Sequence, residues 1–275
     1  MSDERRGERG GSRATRGSAS ERPRSERESG LKRARVRKRA LIGGCAALAV
    51  AFAAGLGIAT GTATGTSSAE ETAHRPLKIP AHSQGTDGTL IAYGPGDAKT
   101  TLEVYEDPRC PYCGEFERKL GPTLKKMAES GTVRIEFHLA AFLDKSLGGH
   151  GSTTALAALG AALDQSPEKF TAFHDVLFSH QPAKETDDAF ASTAHLLELA
   201  GKVPGLRTPA FNKAVKEKTY APWADKVADA FYDSDVTGTP TVKADDKKLT
   251  VIDADGKAVS PKDFTRQIAA AADGA

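Results

Sequence analysis

The chain has 275 residues, of which 39% are hydrophobic and 27% are charged, and this composition is typical of a globular protein. Its three cysteines exclude a disulfide-rich scaffold, so a folded domain must be held together by packing. Residues 1–39 carry 14 basic and 6 acidic side chains, a net charge of +8; because the whole chain has +2, the remainder carries −6. The basic character therefore belongs to the N-terminal segment alone.

Three segments are predicted to precede the folded domain. Residues 1–39, rich in Arg, Ser, Gly and Glu, indicate a disordered cytoplasmic tail, which we favour over a nucleic-acid-binding arm. Residues 40–60 indicate a transmembrane anchor, because positions 40–59 are uncharged and a cluster of basic residues comes just before them. The alternative is a signal peptide cleaved near residues 67–69. Residues 61–88 indicate a flexible spacer.

The domain predicted over residues 89–275 begins with two strands, at 89–93 and 101–106. A helix with one apolar face follows from Pro111 to about residue 130, and Gly131 stands at the position favoured for its C-terminal cap. Residues 133–139 alternate apolar and polar side chains and predict a further strand. A β-α-β unit of this length implies a parallel strand pair with a right-handed crossover.

Cys110 and Cys113 form a C-x-x-C motif where the second strand gives way to the helix. Unpaired N–H groups and the positive end of the helix dipole favour a thiolate at Cys110, and Cys113, one turn later, can resolve a mixed disulfide. Pro111 suits the first helical turn, where its missing N–H would have no partner. Tyr112 completes the dipeptide that tunes the redox couple. The positive charge of Arg109 is expected to favour the thiolate, but the acidic residues at 106, 107 and 115 oppose it, so the helix terminus must supply much of the effect.

A metal site and a histidine base are the other chemical interpretations of these residues. Structural zinc requires four ligands, and the sequence offers neither a second C-x-x-C nor a suitably spaced histidine pair, so no metal is predicted. His174 is interpreted as a packing or surface residue of a helix. His138 is placed on the opposite strand face, and His150, among glycines, is a weak candidate for the border of a groove.

The middle of the domain is predicted to be an all-helical insertion at about residues 148–235. Breaks at Gly and Pro separate four segments with helical spacing: 153–163, 168–179, 187–200 and 208–233. After the insertion, residues 236–242 and 249–253 predict strands, and a last helix is predicted from Pro261 to about residue 272.

This order of elements resembles the thioredoxin fold with an inserted helical subdomain, as in DsbA-like thiol-disulfide oxidoreductases. The α/β resemblance covers roughly residues 89–273. Three groups of residues carry it, namely YEDPRCPYC at 105–113 with Phe116, Phe170 with FHDVLF at 173–178, and GTPT at 238–241.

The resemblance implies roles for residues outside the motif. Pro240 is expected to be a cis-proline that packs against the dithiol, leaving the main chain of Thr239 free to bind an extended substrate segment by strand addition. Many relatives have a buried carboxylate six positions before the first cysteine, where this chain has Val104. Glu106 lies on the same strand face as Val104 and is therefore the better candidate for a proton relay than Glu103.

The combined interpretation is an extracytoplasmic dithiol oxidase whose redox group is its own Cys110–Cys113 disulfide, with no separate cofactor. Its expected clients are reduced or misoxidised secreted proteins, and the resemblance implies reoxidation by a quinone-linked membrane protein of the DsbB or VKOR type. No nucleic-acid partner is expected. The alternatives are a membrane-anchored thiol reductase or isomerase, and a tethered binding module without catalysis.

Overall fold

The computed structural model describes residues 75–273. The predicted tail and anchor, and residues 61–74 of the predicted spacer, lie outside this range. Within residues 75–273, no helix has both the length and the apolar character that crossing a bilayer requires.

The described chain folds into one mixed sheet and eight α-helices, together with a 3-10 turn at Ala189–Ala191. The strands are β1 (Ile91–Tyr93), β2 (Thr100–Glu106), β3 (Val133–Leu139), β4 (Thr241–Ala244) and β5 (Lys247–Leu249). The helices are α1 (Pro111–Glu129), α2 (Phe142–Leu147), α3 (Gly151–Leu163), α4 (Pro167–Ser179), α5 (Thr193–Ala200), α6 (Pro209–Lys216), α7 (Ala221–Asp233) and α8 (Pro261–Ala272).

The sheet has the order β1-β3-β2-β4-β5, with β2 and β3 parallel and the other pairs antiparallel. This confirms the predicted parallel pair, in which Val104 is opposite Phe137 and Glu106 is opposite Leu139. The central strand β2 therefore has its C-terminal end just before the C-x-x-C motif. Helix α1 begins there, and Gly131 follows its end with φ +76°, a conformation that glycine adopts without strain.

The helical insertion differs from its prediction in three places. The sequence did not predict the short helix α2, and the segment 187–200 divides into the 3-10 turn and α5. The predicted helix at 208–233 is two helices, because Lys218 adopts a left-handed conformation with φ 51° between α6 and α7. The strand predicted at 249–253 overlaps the observed β5 only at Leu249, where β5 ends.

The last residues before the predicted domain boundary contact the fold. Gln84 forms an isolated β-bridge with Leu90. The carbonyl oxygen of Gly88 accepts a hydrogen bond of 2.7 Å from Nε1 of Trp223, a fully buried residue of α7. The folded domain therefore begins before the predicted boundary at residue 89.

Candidate active site

The C-x-x-C motif lies at the N-terminus of α1, where the extended backbone of Cys110 becomes helical at Pro111. Both cysteines are free thiols, and both are buried, with 5% of Cys110 and none of Cys113 exposed. Tyr112, between them, is 52% exposed. The motif thus presents an aromatic side chain to solvent, keeps Cys110 just below the surface and encloses Cys113 completely.

The loop before β4 packs against the first sulfur. The Thr239–Pro240 peptide bond is cis, as the resemblance implied. The thiol of Cys110 donates to the carbonyl oxygen of Thr239 at 3.5 Å. The hydroxyl oxygen of Thr239, Oγ1, is buried and has no hydrogen-bond partner in the described structure.

The two thiols have different acidities for identifiable reasons. Hydrogen bonding from Cys113, with smaller contributions from Thr239 and the N–H groups of the first helical turn, lowers the pKa of Cys110 to about 7. Burial, followed by the interaction with Cys110, raises the pKa of Cys113 well above its ordinary value. Because the thiolate is the nucleophile, the lower pKa of Cys110 makes it the candidate attacking sulfur and leaves Cys113 as the candidate resolving one, in keeping with the prediction.

Arg109 does not have the role that the sequence suggested. Its guanidinium is 99% buried and directed into the helical insertion. There it forms ion pairs with Asp144 at 2.9 Å and Asp188 at 3.2 Å, and it donates to the carbonyl oxygens of Gly148 and Glu185. Its charge is therefore neutralised by two carboxylates, and the expectation that it favours the Cys110 thiolate is wrong; Arg109 ties the motif loop to the insertion.

Asp107, to which the sequence analysis gave no structural role, also anchors the loop between β2 and α1. Its carboxylate is fully buried and accepts from the backbone N–H groups of Arg109 and Leu143 and from the hydroxyl of Ser152 at 2.6 Å. Burial raises its pKa to about 6, although these hydrogen bonds oppose the shift. The residue before a proline is often extended, and here that residue also anchors the turn into α1.

Glu106 lies beneath the dithiol at the end of β2, with no exposed surface. Its Oε2 atom is 2.9 Å from Nε2 of His174 on α4. Burial raises its pKa to about 8 against the hydrogen bond with Glu117, and the charge of Cys110 raises it further. This is the environment expected of the proton relay that the sequence analysis assigned to Glu106, a role that remains a prediction.

Two further members of this buried group were not recognised from the sequence. His174 is 1% exposed and is surrounded by the rings of Phe137, Phe170 and Phe178, so it is a packing residue, as expected, but it also contacts Glu106. Glu117 is 7% exposed, and burial followed by proximity to Glu106 raises its pKa well above the ordinary value. It follows Cys113 by four residues, one helical turn, and this spacing is the signal that could have identified it.

Glu106, Glu117 and His174 each offer one ligand atom within 4.8 Å of the others, close enough to hold a metal ion. Burial raises the pKa of both carboxyl groups. We call this group the buried acid cluster.

The other histidines considered earlier have different surroundings. His138 stacks on the ring of Tyr105 with centroids 4.4 Å apart, on the strand face predicted for it. His150 is exposed at the start of α3.

Comparison with known proteins agrees with this geometry. The family model described as thioredoxin matches residues 86–270. Disulfide bond formation protein D of Bacillus subtilis is 27% identical over 159 residues, which make up 57% of this chain and 68% of that protein. The structure of oxidised DsbA of Mycobacterium tuberculosis is 28% identical with a TM-score of 0.54, covering 66% of this chain and 92% of that one. The reduced disulfide bond oxidoreductase DsbG of the same organism is also 28% identical, with a TM-score of 0.55, and covers 66% and 86%.

Proposed function

The chain belongs to the thioredoxin family and is a DsbA-like protein-disulfide oxidoreductase, and from that premise we propose that it is a dithiol oxidase for secreted proteins. The observation that carries the proposal is the similarity to disulfide bond formation protein D of Bacillus subtilis. The asymmetry of the dithiol, in which the pKa of Cys110 is lowered to about 7 while that of Cys113 is raised, supports Cys110 as the attacked sulfur. A stabilised Cys110 thiolate stabilises the reduced protein and makes its disulfide a stronger oxidant, but a pKa of about 7 is close to that of thioredoxin, so the reduction potential must decide the direction.

In the forward reaction, a client thiolate attacks Sγ of Cys110 in the Cys110–Cys113 disulfide. The bond between the two cysteines breaks, a mixed disulfide forms, and the electron pair goes to Sγ of Cys113, which takes up a proton. A second client thiolate then attacks the client sulfur and releases Cys110 as a thiolate. The client loses two electrons and gains a disulfide, and the dithiol of this protein is reduced.

The loop before β4 is the proposed docking site for the client. The Thr239 carbonyl lies 3.5 Å from Sγ of Cys110, so a client strand that paired with this main chain would bring its own sulfur to Cys110. Tyr112, which is half-exposed and lies beside Gly256, forms the other border of this proposed docking site. These contacts would use backbone groups and therefore accept many client sequences.

We further propose that the domain acts on the outer side of the cell membrane, held there by residues 40–60. The support is the uncharged segment behind a basic tail in the sequence, together with the oxidising chemistry that this compartment permits. A quinone-linked membrane protein of the DsbB or VKOR type is the proposed reoxidant. Protease treatment of intact cells would test the orientation: the domain is expected to be digested and the tail protected.

The reduction potential of the Cys110–Cys113 couple, measured in glutathione buffers, distinguishes an oxidase from a reductase or isomerase. A value near the roughly −120 mV of DsbA would support the oxidase, and a value near the roughly −270 mV of thioredoxin would assign the protein to the reductive direction. Cys113→Ser is expected to accumulate mixed disulfides with clients, whereas Cys110→Ser should not. If neither variant differs from the wild type in client capture, the protein is a binding module.

A further inference from the structure

Gln181, the second residue after α4, contacts the C-x-x-C motif with its side chain. Its amide nitrogen, Nε2, donates to the carbonyl oxygens of Pro108 and Cys110, each at 2.8 Å. These two carbonyls lie on either side of Arg109, and together they use both hydrogens of the amide. One side chain of the helical insertion therefore holds the main chain that leads into Cys110.

The end of α4 determines where Gln181 lies. Pro182 follows it, and a proline cannot continue a helix and favours an extended backbone in the residue before it. In the last turn of α4, Phe178 is buried and packs in one cluster with Cys110 and Cys113. The insertion thus contacts the motif twice, through an aromatic ring beside the thiols and through an amide on the main chain.

Gly114 leaves the space that the Gln181 amide occupies. It is buried near the start of α1, a helical position where alanine is normally the better residue. A Cβ atom here would collide with Oε1 of Gln181 and would come within 2.7 Å of Nη1 of Arg118. The close approach of the Gln181 side chain therefore explains why a glycine directly follows Cys113.

Hydrogen bonds fix Cys110 from several sides. Its N–H donates to the carbonyl oxygen of Asp107 at 2.9 Å, and its thiol donates to that of Thr239. Its own carbonyl oxygen accepts from the N–H of Gly114 at 3.1 Å and from Gln181, so both lone pairs are used. Of these four bonds, the one from Gln181 is the only one that comes from the helical insertion.

We propose that Gln181 is a positioning residue of the exchange reaction, which fixes the main chain of Cys110 so that its sulfur stays beside the Thr239 carbonyl and the N–H groups of the first turn of α1. Gln181 acts through the main chain of Cys110 and not on the sulfur atoms themselves. This rests on the thiol-disulfide exchange of the proposed function, but not on its direction.

Loss of the amide is expected to make the Cys110 thiolate less stable. The amide directs its N–H groups at the segment that carries the thiol, so its removal takes partial positive charge away from the surroundings of the thiolate. It also frees a segment whose alignment gives the thiolate its N–H donors. Both effects favour the protonated thiol, and both therefore make the Cys110–Cys113 disulfide a weaker oxidant.

Gln181→Leu tests the proposal, because leucine has a similar size and cannot donate. The rate at which iodoacetamide alkylates Cys110 is measured against pH in the reduced full-length protein, with tandem mass spectrometry to locate the label on Cys110. At about pH 7 the variant should react roughly threefold to tenfold more slowly than the wild type. At about pH 9.5, where Cys110 is a thiolate in both proteins, the two rates should agree.

Gln165→Leu is the matched control. Gln165 is half-buried like Gln181, lies in the loop before α4, and donates through Nε2 to the carbonyl oxygen of Leu206 at 2.9 Å. Its substitution removes a comparable bond between two parts of the insertion and should leave the pH profile of Cys110 unchanged. Equal profiles in Gln181→Leu and Gln165→Leu would overturn the proposal, because a merely structural contact does not move the titration of one thiol.

Gly114→Ala provides a second test in which Gln181 itself is kept. The added Cβ atom should displace the amide and slow alkylation at about pH 7 as Gln181→Leu does. It should add no further slowing to Gln181→Leu, because both substitutions remove the same contact. An unchanged pH profile in Gly114→Ala, or full additivity of the two substitutions, would contradict the proposal.

Equilibration of the Cys110–Cys113 couple with glutathione measures the consequence for the disulfide. At about pH 7 the equilibrium constant for oxidising glutathione should fall roughly threefold to tenfold in Gln181→Leu and stay unchanged in Gln165→Leu. A wild type that neither exchanges with glutathione nor is alkylated at Cys110 would overturn the proposed function together with this role. A reactive wild type with no difference between the two variants would overturn only the role of Gln181.

Discussion

At the scale of single residues, a hydrogen bond from Cys113 lowers the pKa of Cys110, whereas burial raises the pKa of Cys113. Cys110 and Cys113 are three positions apart, yet their pKa values move in opposite directions from the ordinary value. Helix geometry contributes, because Cys110 also lies beside N–H groups of the first turn, and Cys113 is one turn further inside the core, where burial is the largest cause of its raised pKa. The different roles proposed for the two thiols in the exchange reaction follow from this difference in position.

Glu106 is expected to destabilise the fold as the pH rises. Its pKa is raised by burial to about 8, so the folded state binds a proton that the unfolded state has already lost between about pH 4.5 and 8. The free energy of unfolding should therefore fall through this window. Glu106→Gln should remove this dependence and be more stable than the wild type at pH 8 by roughly 4 kcal/mol.

Urea unfolding of the reduced protein at several pH values measures this effect. Well below pH 4.5 the variant and the wild type should have similar stability, since the carboxyl group is then protonated in both states. A wild-type stability that rises between pH 5 and 8 relative to Glu106→Gln would contradict the assignment of a raised pKa.

At the scale of elements, the loop between β2 and α1 is tied to the insertion by Arg109 and Asp107. The loop must hold Cys110 at a helix N-terminus and against Thr239 at the same time. Buried charge pairs fix orientation even where they add little net stability, because breaking one leaves an unpaired buried charge.

Arg109→Met should reduce the free energy of unfolding by about 3 kcal/mol, because Asp144 loses a buried partner. The pKa of Cys110 should change little, since the guanidinium is already neutralised by Asp144 and Asp188. Denaturant unfolding and a pH titration of the thiolate absorbance measure the two quantities. Arg207→Met, on the surface, is the control. An increase in the Cys110 pKa with unchanged stability would restore the role first inferred from the sequence.

At the scale of the whole molecule, the insertion and the sheet share one core. Trp223 is fully buried on α7, reaches the main chain of Gly88, and lies over Gly160 of α3. A Cβ atom at residue 160 would come within 2.7 Å of the indole ring, closer than packed atoms approach. Glycine is thus required at this position by the neighbouring helix, even though its backbone conformation is ordinary.

Gly160→Ala should therefore lower the stability by about 1–3 kcal/mol through overpacking, and lower the melting temperature accordingly. Gly96→Ala is the matched control, because its nearest foreign atom would be 3.9 Å away. Calorimetry of both variants tests the expectation. Equal melting temperatures would show that α3 and α7 separate at little cost. The reactivity of Cys110 should be unaffected in both.

The sequence by itself determined the features that depend on residues close to one another in the chain. The C-x-x-C motif, Pro111 at the helix start, Gly131 at its end and the parallel pairing of two strands all follow from spacing and backbone preference. The family resemblance added the cis peptide bond before Pro240. Glu106 was reached from the carboxylate position that the resemblance indicated, together with strand alternation.

Only the tertiary structure decided which distant side chains meet. Glu106, Glu117 and His174 come from a strand and two helices, and nothing in their sequence separation indicates that their polar atoms lie within 4.8 Å. Arg109 was misassigned for the same reason, because its carboxylate partners lie 35 and 79 positions later in the chain. Electrostatic energy depends on distance in space and on burial, and both are fixed only when the helices pack on the sheet.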